Sequence, residues 1–149
     1  MKKEFEWTNH EAVKNAVKEW LKNRRYFEIL PAKTWLNPLN IDVLTRKTCP
    51  EELYLFELYE IKVKRDNLQV APYQLETCRI RLEDQGATRC YVVVPHWLLD
   101  QLDNCGEYPF FIAAMKRFGY GIITVSPALI PTEFVKPLTF KRVKEATWK

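Results

Sequence analysis

The sequence predicts an α/β domain in which a central mixed sheet is flanked by helices. Three observations lead to this prediction: residues 9–24 carry apolar residues at helical spacing, residues 53–64 alternate as in a strand, and residues 90–94 are continuously apolar. The continuous run is typical of a central strand covered on both faces, for which parallel pairing is expected. Helices and strands that alternate along one chain build layers of helix on sheet.

The first predicted element is a helix from about Asn9 to Arg24. The sequence at the start of this helix, Thr8-Asn9-His10-Glu11, is typical of a capping box, in which side chains accept hydrogen bonds from the free N–H groups of the first turn. The apolar residues that recur at helical spacing are Ala12, Val13, Ala16, Val17, Trp20 and Leu21. We therefore expect one face of this helix to cover the sheet.

The predicted order of elements is α-β-β-β-α-β-α-β, followed by a basic tail. Strands are predicted at residues 26–30, 41–46, 53–64, 90–94 and 122–125, and helical segments at 72–83, 96–102 and 109–118. A chain of 149 residues that is 47% hydrophobic can bury a single core without disulfides or a structural metal. We expect one domain over residues 1–126, with residues 127–149 as its basic C-terminal extension.

Charge and composition limit the classes of function. The net charge is +4, and residues 136–149 hold five basic residues against the single acid Glu145, which favours an anionic partner or a solvated surface. The four cysteines include no C-x-x-C pair and there are two histidines, so a zinc cage is not indicated. No apolar stretch is long enough for a signal peptide or a membrane span, and a soluble, cytoplasmic protein is expected.

Three charged residues stand out on the predicted second and third strands. Glu60 and Lys62 are two apart, so their side chains project from the same face. Asp42 interrupts an apolar run, where a carboxylate is an unusual choice unless it meets a cation. Mg²⁺ takes one or two protein carboxylates and completes its shell with water and phosphate, so Asp42, Glu60 and the carbonyl of Ile61 would suffice. Lys62 would then orient or deprotonate an attacking water.

The placement of these residues resembles the PD-(D/E)XK superfamily of restriction-endonuclease-like nucleases. That core runs α-β-β-β-α-β, with a metal-binding Asp at the second strand and (D/E)-x-K on the third, and the resemblance covers roughly residues 8–126. It implies a Mg²⁺-dependent nuclease acting on DNA, with Mn²⁺ as a substitute, and catalytic roles for Asp42, Glu60 and Lys62. The sequence departs from the family pattern at two points. Ile41 stands where the family often has Pro, and Glu57 is a second candidate for the acid at Glu60, although strand alternation is expected to place it on the opposite face of the strand.

The resemblance also implies supporting residues. Some relatives carry a Q-x-x-x-Y motif on the next helix, and two registers compete for it here, one beginning at Gln69 and one at Gln74. We favour Gln74, because the first register straddles Pro72. A further acid on the first helix would be Glu11 or Glu19, but capping explains the former and solvated surface the latter.

The remaining predictions concern partners. Candidate DNA-contacting residues are Lys64, Arg65, Arg81, Lys141 and Arg142. A homodimer is expected, since so small a chain has little room to surround a duplex, as in small Holliday-junction resolvases and Mrr-like domains. Two alternatives stay open. One is a non-catalytic nucleic-acid-binding or accessory subunit with the same fold, and the other is a surface ion-pair cluster, which would leave Asp42 exposed and form no acidic pocket.

Overall fold

The structure is a computed structural model that describes residues 9–23, 27–30 and 41–143. Six strands form one sheet in the order β1-β2-β3-β4-β5-β6. The central strands β3, β4 and β5 are parallel to one another, whereas β1, β2 and β6 each run antiparallel to their neighbours. The strands are β1 (Glu28–Ile29), β2 (Val43–Cys49), β3 (Leu53–Ile61), β4 (Ala87–Pro95), β5 (Gly121–Val125) and β6 (Pro131–Val135).

Helices cover both faces of this sheet. They are α1 (His10–Lys22), α2 (Ala71–Leu82), α3 (His96–Asn104) and α4 (Tyr108–Phe118), and a 3₁₀ helix (Arg65–Val70) leads into α2. The apolar side of α1 packs on one face, against residues such as Tyr59, Ile61 and Val93. The other three helices pack on the opposite face, where Leu75, Leu98 and Met115 meet side chains of β3 and β4. The predicted three-layer α/β arrangement with a central mixed sheet is confirmed.

The predicted α-β-β-β-α-β order is also confirmed, with differences at the ends of elements. Asn9 is the N-cap of α1, and its side chain accepts a hydrogen bond from the N–H of Ala12 at 2.8 Å. The predicted capping box required Thr8, which lies outside the described residues. The helix ends at Lys22 rather than at residue 24, and β4 begins three residues earlier than predicted. Such shifts are ordinary for helix and strand boundaries.

The chain passes very close to β3 where α2 turns into β4. A Cβ on Gly86 would lie 2.4 Å from the carbonyl oxygen of Tyr54, so no other residue allows the chain to pass β3 this closely. The passage starts a parallel ladder in which Leu55 pairs with Ala87 and Glu60 with Val92. This turn therefore helps to set the register of the strand that carries Glu60.

The segment after residue 126 belongs to the same sheet. Its strand β6, which was not predicted, pairs with β5, and Phe140 forms a bridge with Thr88. The N–H of Val143 donates to the carbonyl of Glu83 at 2.6 Å. The last six residues of the predicted basic extension, 144–149, lie outside the described residues. Within the described part of the chain, no helix is both long and apolar enough to cross a bilayer.

Candidate metal centre

Glu60 lies near the C-terminal end of β3, on the sheet face that α2 covers. Strand alternation turns its neighbours Tyr59 and Ile61 to the α1 face, where both pack in the core. Only 7% of Glu60 is exposed. A carboxylate buried to this degree requires hydrogen bonds or a cation close by.

Asp42 meets Glu60 from the neighbouring strand. It directly precedes β2, whose first residue Val43 pairs with Tyr59, and this antiparallel register brings Asp42 beside the end of β3. Its Oδ2 accepts a hydrogen bond from the N–H of Ile61 at 2.8 Å, and its own N–H donates to Oε1 of Glu60 at 3.4 Å. Its side chain is 17% exposed. An exposed ion-pair cluster would have left Asp42 open to solvent, so this geometry argues against that alternative.

Lys62 supplies the positive charge nearest to the two acids. Its Nζ lies 3.3 Å from Oε2 of Glu60, and its side chain is largely buried. The backbone of Lys62 extends the pairing beyond β3, because its N–H donates to the carbonyl of Val93 at 2.9 Å. The structure thus brings together Asp42, Glu60 and Lys62, the three residues that the sequence singled out.

The proton affinity of Glu60 reflects this crowding. The pKa of Glu60 is raised to about 7, mainly by burial and also by the neighbouring carboxylate of Asp42, through repulsion and a hydrogen bond. Lys62 acts in the opposite direction but does not compensate for the other effects. The raised pKa means that a second negative charge beside Asp42 is unfavourable in the metal-free site.

His10 is a member of the site that the sequence analysis did not single out. Its Nε2 lies 3.2 Å from Oδ1 of Asp42, because α1 begins at the same end of the sheet. The contact joins residues 32 positions apart in sequence. No local pattern signals such a contact, since it depends on how α1 crosses the sheet.

The donor set fits a divalent cation that prefers oxygen ligands. The carboxylates of Asp42 and Glu60 are adjacent and at least partly buried, and Mg²⁺ needs one or two such groups. In the part of the chain that is described, no group of three or more His, Cys, Asp or Glu residues is arranged to hold a metal. A cation here would therefore depend on two carboxylates, a main-chain carbonyl such as that of Ile61, and water.

A cleft of about 320 Å³ opens beside Glu60. It is lined by Ile41, Glu60, Val70, Tyr73, Gln74 and Thr77. Gln74 thus faces the cleft, whereas Gln69 lines a separate groove next to it. Of the two glutamines considered for the supporting role, Gln74 is the one that lines the same cleft as Glu60.

The candidate DNA-contacting residues do not form one surface. Lys64 and Arg65 follow the site directly, and Arg65 lies 3.7 Å from Glu107. Arg81 is exposed, one helical turn beyond Thr77. Lys141 and Arg142 lie at the opposite end of the sheet, where the N–H of Arg142 donates to Glu52 at 2.6 Å.

The other acids considered lie outside the site. Glu57 is fully buried on the α1 face, as strand alternation predicted, where it accepts from the hydroxyl of Tyr59 at 2.5 Å and contacts Arg89 at 3.4 Å. Glu11 is exposed in the first turn of α1, and Glu19 pairs with Lys22 at 2.9 Å. Glu57 is therefore part of a core ion pair, which the sequence analysis did not foresee.

Comparison with known proteins bears on the fold. No family model matches the chain, and no curated protein matches it. The chain is similar to the solved structure of an XisH family protein from Nostoc punctiforme, with a TM-score of 0.53 and 12% identity. The match covers 83% of this chain and 98% of that one. This likeness shows a shared fold, which in this chain is a mixed six-stranded sheet flanked by helices.

Proposed function

We propose that the chain is a Mg²⁺-dependent nuclease of the PD-(D/E)XK type that hydrolyses phosphodiester bonds of DNA. The observation that carries this proposal is the adjacency of two carboxylates, the buried Glu60 and the partly buried Asp42, with Lys62 3.3 Å from the former. The similarity in fold supports it. The site differs from a simple ion pair, because two carboxylates lie side by side and the pKa of Glu60 is raised to about 7.

Each residue of the site has a role in this proposal. Asp42, Glu60 and the carbonyl of Ile61 hold the cation, and Mn²⁺ substitutes for Mg²⁺. The bound cation supplies Lewis-acid polarisation of the phosphate and favours ionisation of a water. Lys62 donates hydrogen bonds to that water or to the phosphate and offsets the charge that develops on it.

Two further residues assist the first three. Gln74 lines the same cleft as Glu60, so its amide can hydrogen-bond the water or a phosphate oxygen. His10 contacts the Asp42 oxygen that does not bind the N–H of Ile61, and it thereby fixes the orientation of that carboxylate. We also propose that the protein is a homodimer, which would present two sites to the two strands of DNA. We propose a cytoplasmic location, where the DNA substrate is found.

The test is cleavage of labelled single-stranded, duplex, flapped and four-way-junction DNA in Mg²⁺, Mn²⁺ or EDTA. Wild-type protein should cut at least one substrate only when the cation is present. The substitutions Asp42→Asn and Glu60→Gln remove one negative charge each, and either should abolish the cutting. Salt-sensitive binding without cleavage by the wild-type protein would instead identify a nucleic-acid-binding subunit.

A further inference from the structure

A larger groove, of about 810 Å³, adjoins the cleft beside Glu60. Val70 and Tyr73 line both spaces, so the groove lies next to the cleft that Glu60 lines. It lies between the 3₁₀ helix, the start of α2, and α4. We call it the aromatic groove and define it by Arg65, Val70, Tyr73, Phe110, Phe111 and Phe118.

Two aromatic rings of the groove face solvent. Phe110 is 76% exposed and Tyr73 is 64% exposed. The ring of Tyr73 is held edge-on against Phe118, with centroids 5.4 Å apart and an interplanar angle of 83°. Large apolar side chains exposed around a concave surface mark a binding site more often than they occur by chance. The orientation of Tyr73 is therefore set before any ligand binds.

The polar residues of the groove carry no excess of positive charge. Its basic residue, Arg65, lies 3.7 Å from Glu107, and Asp66 and Gln69 complete the polar lining. Such a surface would attract a phosphate weakly. It suits a nucleobase, because aromatic rings stack on the face of any base and carboxylate or amide groups bond its edges.

We propose that the aromatic groove binds unpaired bases of the DNA strand whose phosphate lies at Asp42 and Glu60. This inference rests on the proposed function and names its substrate class: single-stranded DNA, or DNA with an unpaired segment beside the cut. Phe110 and Tyr73 stack on the bases, while the adjoining cleft receives the backbone. Bases of an intact duplex are stacked on one another and cannot reach the rings.

Binding experiments can test this without relying on cleavage. Fluorescence anisotropy measures the affinity of the protein for a short labelled single strand and for the same strand with a run of abasic sites. The protein carries the Glu60→Gln substitution, which prevents cutting. Phe110→Ala in this background should weaken binding of the ordinary strand between about fivefold and about a hundredfold, which is the range for loss of base stacking. Binding of the abasic strand should change little. Phe110→Trp should keep the tighter binding of the ordinary strand relative to the abasic strand.

Phe134→Ala is the matched control, because Phe134 is also an exposed aromatic residue but lies on β6, outside the groove. It should leave both affinities unchanged. Equal binding of ordinary and abasic strands, or equal loss of both in Phe110→Ala, would overturn the assignment. So would a change in oligomeric state in Phe110→Ala by sedimentation, with unchanged DNA binding, since the groove would then hold a second copy of the chain.

The outcomes for the groove and for the nuclease are separable. If Phe110→Ala leaves metal-dependent cleavage of every substrate unchanged, the proposal that the groove binds bases is overturned and the nuclease proposal stands. Another outcome is that the protein binds ordinary strands more tightly than abasic ones, in a manner that depends on Phe110, while protein that retains Glu60 cuts no substrate. That result would support base binding by the groove and refute the nuclease proposal.

Discussion

Two buried acids on β3, Glu57 and Glu60, differ in chemistry because their neighbours differ. Glu57 accepts a hydrogen bond from Tyr59 and faces the guanidinium of Arg89, so its charge is matched within the core. Glu60 faces a second carboxylate, that of Asp42, as well as Lys62. The first arrangement stabilises the fold, and the second one favours a bound cation.

The stability of the metal-free protein should therefore depend on the pH through Glu60. Its pKa is raised from 4.5 to about 7, so between these values the folded state binds more protons than the unfolded state. The free energy of unfolding should fall as the pH rises from about 4.5 to 7, by an amount on the order of 3 kcal/mol, and then level off. Urea denaturation in EDTA across this range measures it.

Glu60→Gln is the control for this prediction. The substitution removes the titrating group while Asp42, Lys62 and His10 remain, so most of the fall should disappear and the variant should be more stable than wild type at pH 8. A wild-type protein that gains stability between pH 5 and 7 would contradict the assignment of the raised pKa to Glu60.

At the residue scale, the sequence predicted part of the site. Asp42 could be recognised because a carboxylate within an apolar run is costly, and Glu60 with Lys62 because period-2 alternation puts them on one face. His10 could not be recognised, since its partner lies on a distant strand. The burial of Glu57 could not be recognised either, because its partner Arg89 comes from β4 through parallel pairing.

At the scale of elements, the site depends on the register of β2, β3 and β4. The hairpin aligns Val43 with Tyr59, and the parallel ladder aligns Glu60 with Val92. Parallel strands need a crossover connection, here α2, and Gly86 is where that crossover returns to the sheet. The packing of this turn on Tyr54 is thus coupled to the placement of Glu60.

Gly86→Ala should destabilise the protein because the added Cβ would lie 2.4 Å from a main-chain oxygen, which cannot move without shifting β3. We expect a loss of about 3 kcal/mol in the free energy of unfolding, the upper end of the usual range for overpacking, because the contact is with the main chain. Gly106→Ala is the matched control: this glycine has φ +78° but open space around it, so its cost should be only the left-handed strain of about 1 kcal/mol. Chemical denaturation of both variants decides between them, and equal costs would contradict the account.

Most elements could be predicted because their side-chain patterns match their burial. The central strand β4 is apolar over most of its length and is covered on both faces, and the alternating β3 ends at the site. The strand β6 was missed because it lies at the sheet edge with three of its five residues exposed and begins with Pro131. Its pairing with β5 depends on main-chain hydrogen bonds, which leave no hydrophobic pattern in the sequence.

At the scale of the whole molecule, the basic residues lie at two ends of the sheet. Lys64 and Arg65 follow the candidate metal centre, whereas Lys141 and Arg142 lie near Glu52, where β3 begins. The intervening strand is about 26 Å long, at roughly 3.3 Å per residue. One DNA molecule would have to extend along the sheet to contact both ends.

The contribution of Lys141 should therefore depend on the length of the DNA. At 3.4 Å per base pair, DNA of about eight base pairs is as long as the distance between the two ends of the sheet. Lys141→Ala should therefore weaken binding and reduce its salt dependence only for DNA longer than this. Lys64→Ala should weaken binding at every length. Anisotropy titrations over a length series at two salt concentrations measure both effects, and a loss in Lys141→Ala on the shortest DNA would show that the strand follows another path.

The central claim is that Asp42 and Glu60 form a divalent-cation site, and calorimetric titration with Mn²⁺ tests it most directly. The wild-type protein should bind the cation, Asp42→Asn and Glu60→Gln should not, and Glu57→Gln should bind it as wild type does, because Glu57 lies on the other face of β3. Binding by Glu60→Gln with unchanged affinity, or no binding by a folded wild-type protein, would contradict the account.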